Sequence, residues 1–176
     1  MAILNKWDLV QYLMTRYKEK FNCEKITPIK LQKSLYFLYA YWGGKIRSQH
    51  LTDTSGDTLE EMVEMEFGYD EDLFDASFEA WFYGPVDKDV YAWFKNLTKE
   101  EYDKINFQRF KNVDNFVIEY IDYLIDKILN TNDFVLIDIS RKEQCWKSVY
   151  KSGEKNVIDN DKIKWHSTVG AYEITL

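Results

Sequence analysis

The stretch Phe78-Glu79-Ala80-Trp81-Phe82-Tyr83-Gly84-Pro85-Val86 decides how we expect this chain to fold. Its first residues are mostly aromatic and alternate between two faces, a pattern typical of a β-strand. Pro85 disfavours a helical backbone at the residue before it and has the φ angle of a helix start. Asp87 follows as a candidate N-cap. The stretch therefore predicts a strand over 78–82 that turns sharply at Gly84-Pro85 into a helix.

A second stretch, residues 27–44, has the clearest helix boundaries in the sequence. Thr27 is a suitable N-cap, Pro28 suits the first helical position, and Gly43-Gly44 predicts the end of the helix. Between these boundaries, large apolar side chains cover nearly the whole circumference: Ile29, Leu31, Leu35, Tyr36, Phe37, Leu38, Tyr39, Tyr41 and Trp42. A helix that is apolar on nearly all sides is usually buried, so we expect this one at the centre of the fold.

The rest of the chain shows helical periodicity between capping residues. Further helices are predicted to begin near Asn5, Thr58, Thr98, Asn112, Thr131 or Asn132, and Asp159 or Asn160. Leu73-Phe74 is predicted to form a short strand that pairs with 78–82. The expected fold class is mainly α with a small β element (α+β), with about six to eight helices around the central aromatic helix and one short strand pair. Without an internal repeat or a flexible linker, residues 1–176 are predicted to form a single domain.

The composition is that of a protein with a substantial core. Of the 176 residues, 45% are hydrophobic and 17% are aromatic. The first residues lack the basic start and apolar run of a signal peptide, and no apolar stretch approaches the length of a membrane span. The two cysteines, Cys23 and Cys145, are far apart and fit no redox or zinc spacing. We therefore expect a cytoplasmic protein with reduced thiols and no membrane partner.

Charge is distributed unevenly along the chain. Residues 1–50 hold nine Lys and Arg against three Asp and Glu, whereas residues 51–103 hold three against sixteen. The acidic residues concentrate in a stretch at about 50–72, which we call the acidic insert. An acidic segment repels nucleic acid and attracts basic partners, although a solvated loop explains the same composition. Nucleic acid is accordingly not expected as a partner, and the basic side chains of the first 50 residues lack a recognition motif.

The sequence lacks a recognisable catalytic set. His50 and His166 are the two histidines, and neither lies in a hydrolase or metalloprotease signature. These histidines and the two cysteines are too scattered for a typical zinc site. No glycine-rich phosphate loop is present. We expect neither a cofactor nor a metal, and a non-enzymatic protein is the preferred interpretation.

Two motifs together resemble a known family. Ile26-Thr27-Pro28-Ile29-Lys30-Leu31-Gln32-Lys33-Ser34-Leu35-Tyr36-Phe37 is similar to the leading helix of the Panacea domain, found in SocA-like and GepA-like phage-associated proteins. The stretch from Phe78 to Val86, with Val90-Tyr91 after it, resembles the second hallmark of that family. Trp146-Lys147 and residues 153–158 resemble its tail. The chain departs from the family pattern at Arg141, where a histidine is usual, at Cys145, where a proline is usual, and in its longer acidic insert.

The resemblance implies a largely helical antitoxin domain that neutralises a toxin encoded by a neighbouring gene. Neutralisation would occur by direct binding, or through an adaptor role that delivers the toxin to an ATP-dependent protease. Packing is the expected role for eight residues that match the family signatures: Leu31, Leu35, Trp81, Gly84, Pro85, Val86, Tyr91 and Trp146. Partner contact is the expected role for five others, which combine a polar group with aromatic surroundings: Lys30, Gln32, Lys33, Tyr36 and Tyr83.

Two other interpretations stay open at this point. One is a phage-encoded module that contacts a host protein, without a toxin partner, through the acidic insert. The other is an enzyme whose site the sequence does not reveal, for example around a buried His166 paired with a carboxylate.

Overall fold

A computed structural model describes residues 2–51 and 71–166. Within these ranges the chain forms eight helices: α1 (Lys6–Lys20), α2 (Pro28–Leu51), α3 (Lys88–Asn96), α4 (Lys99–Lys104), α5 (Asn115–Asn130), α6 (Asp133–Lys142), α7 (Gln144–Lys147) and α8 (Asn160–His166). Three strands complete it: β1 (Phe78–Trp81), β2 (Gly84–Asp87) and β3 (Asn156–Val157). The predicted α+β class is therefore confirmed. The helix predicted at 58–68 lies outside the described residues, as do the side chains of His50 and His166.

Helix α2 is the centre of the fold. Every residue from Lys30 to Gly44 is buried, and α1, α3, α5, α6, α8 and β2 all pack against it. The predicted start is confirmed, since the Thr27 hydroxyl accepts a hydrogen bond from the Lys30 amide at 3.0 Å. The prediction of a central aromatic helix is thus confirmed. The helix is apolar on nearly all sides, so other elements must pack against each side to bury it.

The predicted end of this helix is wrong, because α2 continues through Gly43-Gly44 to Leu51. Gly43 instead permits close packing of two helices. A Cβ atom at Gly43 would lie 2.7 Å from the Cα of Lys164 in α8 and 3.0 Å from its carbonyl oxygen. Gly43 resembles a helix terminator in the sequence, but a glycine is needed there because the backbone of α8 lies too close for a side chain. The local sequence does not reveal this contact.

The strands form a sheet of order β2-β1-β3 with antiparallel pairing. Strands β1 and β2 form a hairpin in which Trp81 pairs with Gly84 and Phe78 with Asp87, so that Phe82 and Tyr83 make the turn. The predicted strand is confirmed, but Gly84-Pro85 begins a second strand and does not lead directly into a helix. Pro85 is compatible with this position because β2 is an edge strand of the sheet.

The predicted pairing of Leu73-Phe74 with 78–82 is also wrong. Phe74 forms an isolated parallel bridge with Leu4, and the Leu4 amide donates to the Leu73 carbonyl at 2.8 Å. The neighbours of β1 in the sheet are β2, its partner in the hairpin, and β3. Just after β3, the Ile158 amide donates to the Phe78 carbonyl at 2.8 Å. Strand β3 has two residues, too few for a recognisable alternation.

Most predicted helix starts are confirmed by capping hydrogen bonds. Asn5, Asp87, Thr98 and Asn132 each accept from backbone amides of the helix that follows, and Thr98 forms a complete capping box with Glu101. Helix α5 begins later than its predicted start at Asn112, because Asp114 is the residue whose side chain accepts from the first turn, at 2.7 Å. No helix within the described ranges is long and apolar enough to cross a membrane.

We predict that Gly43→Ala destabilises the protein by about 1–3 kcal/mol, because the added methyl group would overlap backbone atoms that cannot rotate away. Alanine is otherwise favoured over glycine inside a helix by about 1 kcal/mol. The measurement is the free energy of unfolding in urea. A variant as stable as the wild type, or more stable, would contradict the close approach of α2 and α8.

Candidate functional site

The outer edge of β2 is covered by side chains of α2. Gln32 donates from Nε2 to the Asp87 carbonyl at 3.1 Å, and its Oε1 accepts from the Asp87 amide at 2.8 Å. Lys33 donates from Nζ to the Pro85 carbonyl at 2.8 Å. These two side chains satisfy the edge as a neighbouring strand would, and buried backbone groups require such partners. The hairpin is therefore fixed to the central helix.

Asp87 joins this edge to two further helices. Its Oδ1 accepts from the amides of Asp89 and Val90 at the start of α3, at 3.1 and 3.2 Å. Its Oδ2 accepts from Lys6 Nζ at 3.0 Å, which brings in the first turn of α1. Since the Asp87 side chain is fully buried, each of these bonds forms away from bulk water.

Gly84 is the point where the hairpin comes closest to the helices behind it. Its φ angle is +98°, a conformation that favours glycine. A Cβ atom here would overlap the Oγ of Ser140 in α6 and lie 3.0 Å from Nζ of Lys33. Burial lowers the pKa of Lys33 to about 7. The amine of this lysine is thus enclosed between a glycine, a serine and a carbonyl group.

Four of the five predicted partner-contact residues lie in the interior. Gln32 and Lys33 hold the β2 edge, as described above. Lys30 forms an ion pair with Asp133 at 3.2 Å and also donates to the carbonyl groups of Leu129 and Thr131, where α5 ends. The Tyr36 hydroxyl lies 3.3 Å from the Cys145 sulfur, either atom being the donor. We therefore carry only the fifth residue, Tyr83, forward as a contact residue.

The residues expected to pack are arranged around the same hairpin. Leu31 and Leu35 are fully buried on α2, and Val86 is buried on β2. The Trp81 and Tyr91 rings meet edge to face at 4.8 Å between their centroids. Trp146 donates from Nε1 to the Trp81 carbonyl at 3.0 Å, which ties α7 to the end of β1.

The exposed part of this assembly is the turn of the hairpin. Phe82 and Tyr83 are 57% and 54% exposed, and their ring centroids are 4.9 Å apart. We call these two residues the aromatic tip. Sequence reasoning did not select Phe82, because the strand alternation placed it on the same face as the buried Phe78 and Ala80. The signal that could have revealed it is its position in a two-residue turn between paired strands.

The chemistry available around the hairpin is limited by burial. The Ser140 hydroxyl donates to the Ile137 carbonyl at 2.9 Å and is fully buried beside Lys33. Burial raises the pKa of the Cys145 thiol, so the sulfur is protonated and a poor nucleophile at neutral pH. No group of three metal-ligating side chains occurs in the part of the chain that the structure describes. These groups serve packing, and the aromatic tip is the candidate functional site.

Several basic side chains of the first 50 residues are occupied within the fold. Lys18 donates to the Tyr102 carbonyl at 3.1 Å, beside the end of α4, and Lys20 forms an ion pair with Asp126. Lys30 and Lys33 are buried. These four side chains are therefore not available together as a nucleic-acid surface.

We predict that Gly84→Ala destabilises the protein far more than Gly153→Ala. Both glycines have positive φ angles, +98° and +78°, but no atom lies within 4 Å of a Cβ at Gly153. The Gly153 variant should lose about 1 kcal/mol of unfolding free energy from backbone strain, and the Gly84 variant at least about 2 kcal/mol more from overlap. Urea denaturation of both proteins measures this difference. Equal losses would show that Ser140 and Lys33 do not confine Gly84.

We predict that Lys33 makes stability depend on pH between about 7 and 10.5, its pKa values in the folded and unfolded chain. In this window the unfolded chain binds a proton that the folded protein does not, so stability rises with pH. Relative to Lys33→Met, the wild type should gain about 1.4 kcal/mol per pH unit. Urea denaturation at several pH values measures the difference, and parallel curves for the two proteins would contradict it.

The comparison with known proteins agrees with the resemblance seen in the sequence. The family model described as "Antitoxin SocA-like, Panacea domain" matches residues 67–147, just under half of the 176 residues. The match includes the hairpin, Ser140, Arg141 and Trp146, whereas the first motif around Lys30 precedes it. No curated protein and no solved structure matches the chain significantly. The second motif of the resemblance, which folds as the hairpin, lies within residues 67–147, and these residues are similar to the Panacea domain of SocA-like antitoxins.

Proposed function

We propose that this protein is an antitoxin that binds a toxin encoded by a neighbouring gene and neutralises it in a direct protein–protein complex. The observation that carries the proposal is the match of residues 67–147 to the antitoxin SocA-like family. That family suggests a non-enzymatic role and a protein partner. Toxin binding, the neighbouring gene as the source of the toxin, and the mode of neutralisation are the parts that we add as a proposal.

The aromatic tip is the surface that we propose for toxin contact. Aromatic side chains are enriched at the centres of protein interfaces, and truncating such a residue often costs 2 kcal/mol or more of binding free energy. Phe82 and Tyr83 are both more than half exposed, so burying their apolar rings against a partner would be favourable. Tyr83 also has a hydroxyl that can donate to a partner.

The support beneath the tip favours binding by a preformed surface. The hairpin is held by Gln32, Lys33 and Trp146, through the bonds to its backbone described above. A rigid element loses less conformational entropy on binding than a free loop, so more of the contact energy contributes to affinity. The tip would therefore act as a fixed projection that enters a recess on the toxin.

The test is co-expression with the product of the adjacent gene. If that product arrests growth alone and growth recovers when this protein is present, the antitoxin function is supported. A neighbouring product that is harmless alone, or that stays toxic, overturns it and favours the host-interaction interpretation. The toxin level distinguishes the two modes, because direct blocking leaves the toxin intact whereas an adaptor role removes it in cells that contain the ATP-dependent protease.

We predict that replacing Phe82 and Tyr83 together by serine abolishes growth rescue and weakens toxin binding by about 10-fold or more. The matched control is Tyr123→Ser on α5, since Tyr123 is 56% exposed and Tyr83 is 54% exposed. Binding is measured by calorimetry with the purified toxin, and thermal unfolding verifies that both variants are folded. A double variant that binds as well as the control would exclude the aromatic tip.

A further inference from the structure

Arg141 is held next to the aromatic tip by two aromatic rings. The centre of its guanidinium group lies 5.1 Å from the ring centroid of Phe82 and 5.1 Å from that of Trp146. Both distances are within the range of a cation–π contact. Because Trp146 also donates to the Trp81 carbonyl, the support of the arginine is continuous with the support of the hairpin. The position of the guanidinium group is therefore set before any partner arrives.

The charge of Arg141 has no carboxylate partner among the described residues. Its neighbour Lys142 is paired with Asp138 at 2.6 Å along the same helix. The buried Nε of Arg141 has no hydrogen-bond acceptor in the described part of the protein. Its two Nη groups are not enclosed in the same way, and they form no hydrogen bond within the described ranges. They remain available for an acceptor.

Lys155 is a second cation near the same end of β1, and it also lies over an aromatic ring. The Nζ of Lys155 is 4.0 Å from the ring centroid of Trp81. No carboxylate among the described residues forms an ion pair with it. Both cations thus rest on aromatic rings of the hairpin region, although the chain as a whole has a net charge of −7. Two cations that lie on aromatic rings and lack a carboxylate partner are complementary to an acidic segment of another protein.

We propose that Arg141 binds a carboxylate of the partner, from an Asp or Glu side chain next to an apolar residue that packs on the aromatic tip. A planar guanidinium with two free Nη groups forms two parallel hydrogen bonds to a carboxylate. The rings of Phe82 and Trp146 limit the movement of the arginine, so its side chain loses little conformational entropy on binding. This inference rests on the proposed function in one respect only, that the partner is a protein.

The first experiment needs no toxin. The probe is the peptide acetyl-Ala-Phe-Glu-Phe-Ala-amide, titrated at millimolar concentration into the isotopically labelled full chain. The readout is the NMR signal of the Arg141 Nε–H group, which the fold encloses. The signal is assigned by its loss in Arg141→Lys. The control is the same peptide with Gln in place of Glu.

We expect the Glu peptide to shift the Arg141 signal in a saturable manner, and the shift to decrease as salt is added. The Gln peptide should produce little change. No shift with the Glu peptide, or equal shifts with both peptides, would overturn the proposal. The peptide titration gives a result even if the neighbouring gene product proves harmless. Failure of the Arg141 proposal is therefore distinguishable from failure of the antitoxin function.

The second experiment uses the toxin complex. Arg141→Met keeps an apolar side chain between the two rings but removes the charge, and it should weaken binding by about 10- to 100-fold. Arg141→Lys keeps the charge without the planar group and should give an intermediate loss. Lys142→Met is the matched control on the same helix and should change binding less than threefold. Unchanged affinity in Arg141→Met, with a folded protein by thermal unfolding, would overturn the proposal.

Discussion

The structure depends on the pairing of the outer edge of strand β2 with two side chains of helix α2. Strand β2 would otherwise present unpaired amide and carbonyl groups within the core, and each unpaired group costs about 1–3 kcal/mol. Gln32 satisfies both backbone groups of Asp87, and Lys33 satisfies the carbonyl of Pro85. This arrangement explains why polar residues lie in the most buried helix of the protein. It also closes the β2 edge to other strands.

That pairing imposes two further constraints on the chain. The hairpin must approach α2 and α6 closely, so the residue at the contact is Gly84, which has neither a Cβ nor a penalty for a positive φ angle. The amine that reaches Pro85 must be buried, which lowers its pKa toward neutrality. A lysine that has lost its proton still donates a hydrogen bond and avoids the cost of a buried charge. The motif around Lys30 and the motif around Gly84 are thus two halves of one contact.

The same contact separates the residues that build the domain from those that can meet a partner. Most of the family-like motif residues are buried, which makes them determinants of the scaffold. The exposed residues, Phe82 and Tyr83, lie in the turn that the scaffold presents, with Arg141 beside them.

The sequence by itself determined the class of the fold, the central helix and most helix starts. These features are local, because capping side chains bind amides two or three residues away and an apolar helix must be buried wherever it lies. The tertiary structure alone decided that Gly43 lies inside a helix, that Gly84 packs against α6, and that Gln32 and Lys33 face inward. Each of these depends on an atom contributed from far along the chain: the backbone of Lys164, the hydroxyl of Ser140 and the edge of β2. The reason is that a glycine or a polar side chain is compatible with several local structures, and the segment packed against it selects one.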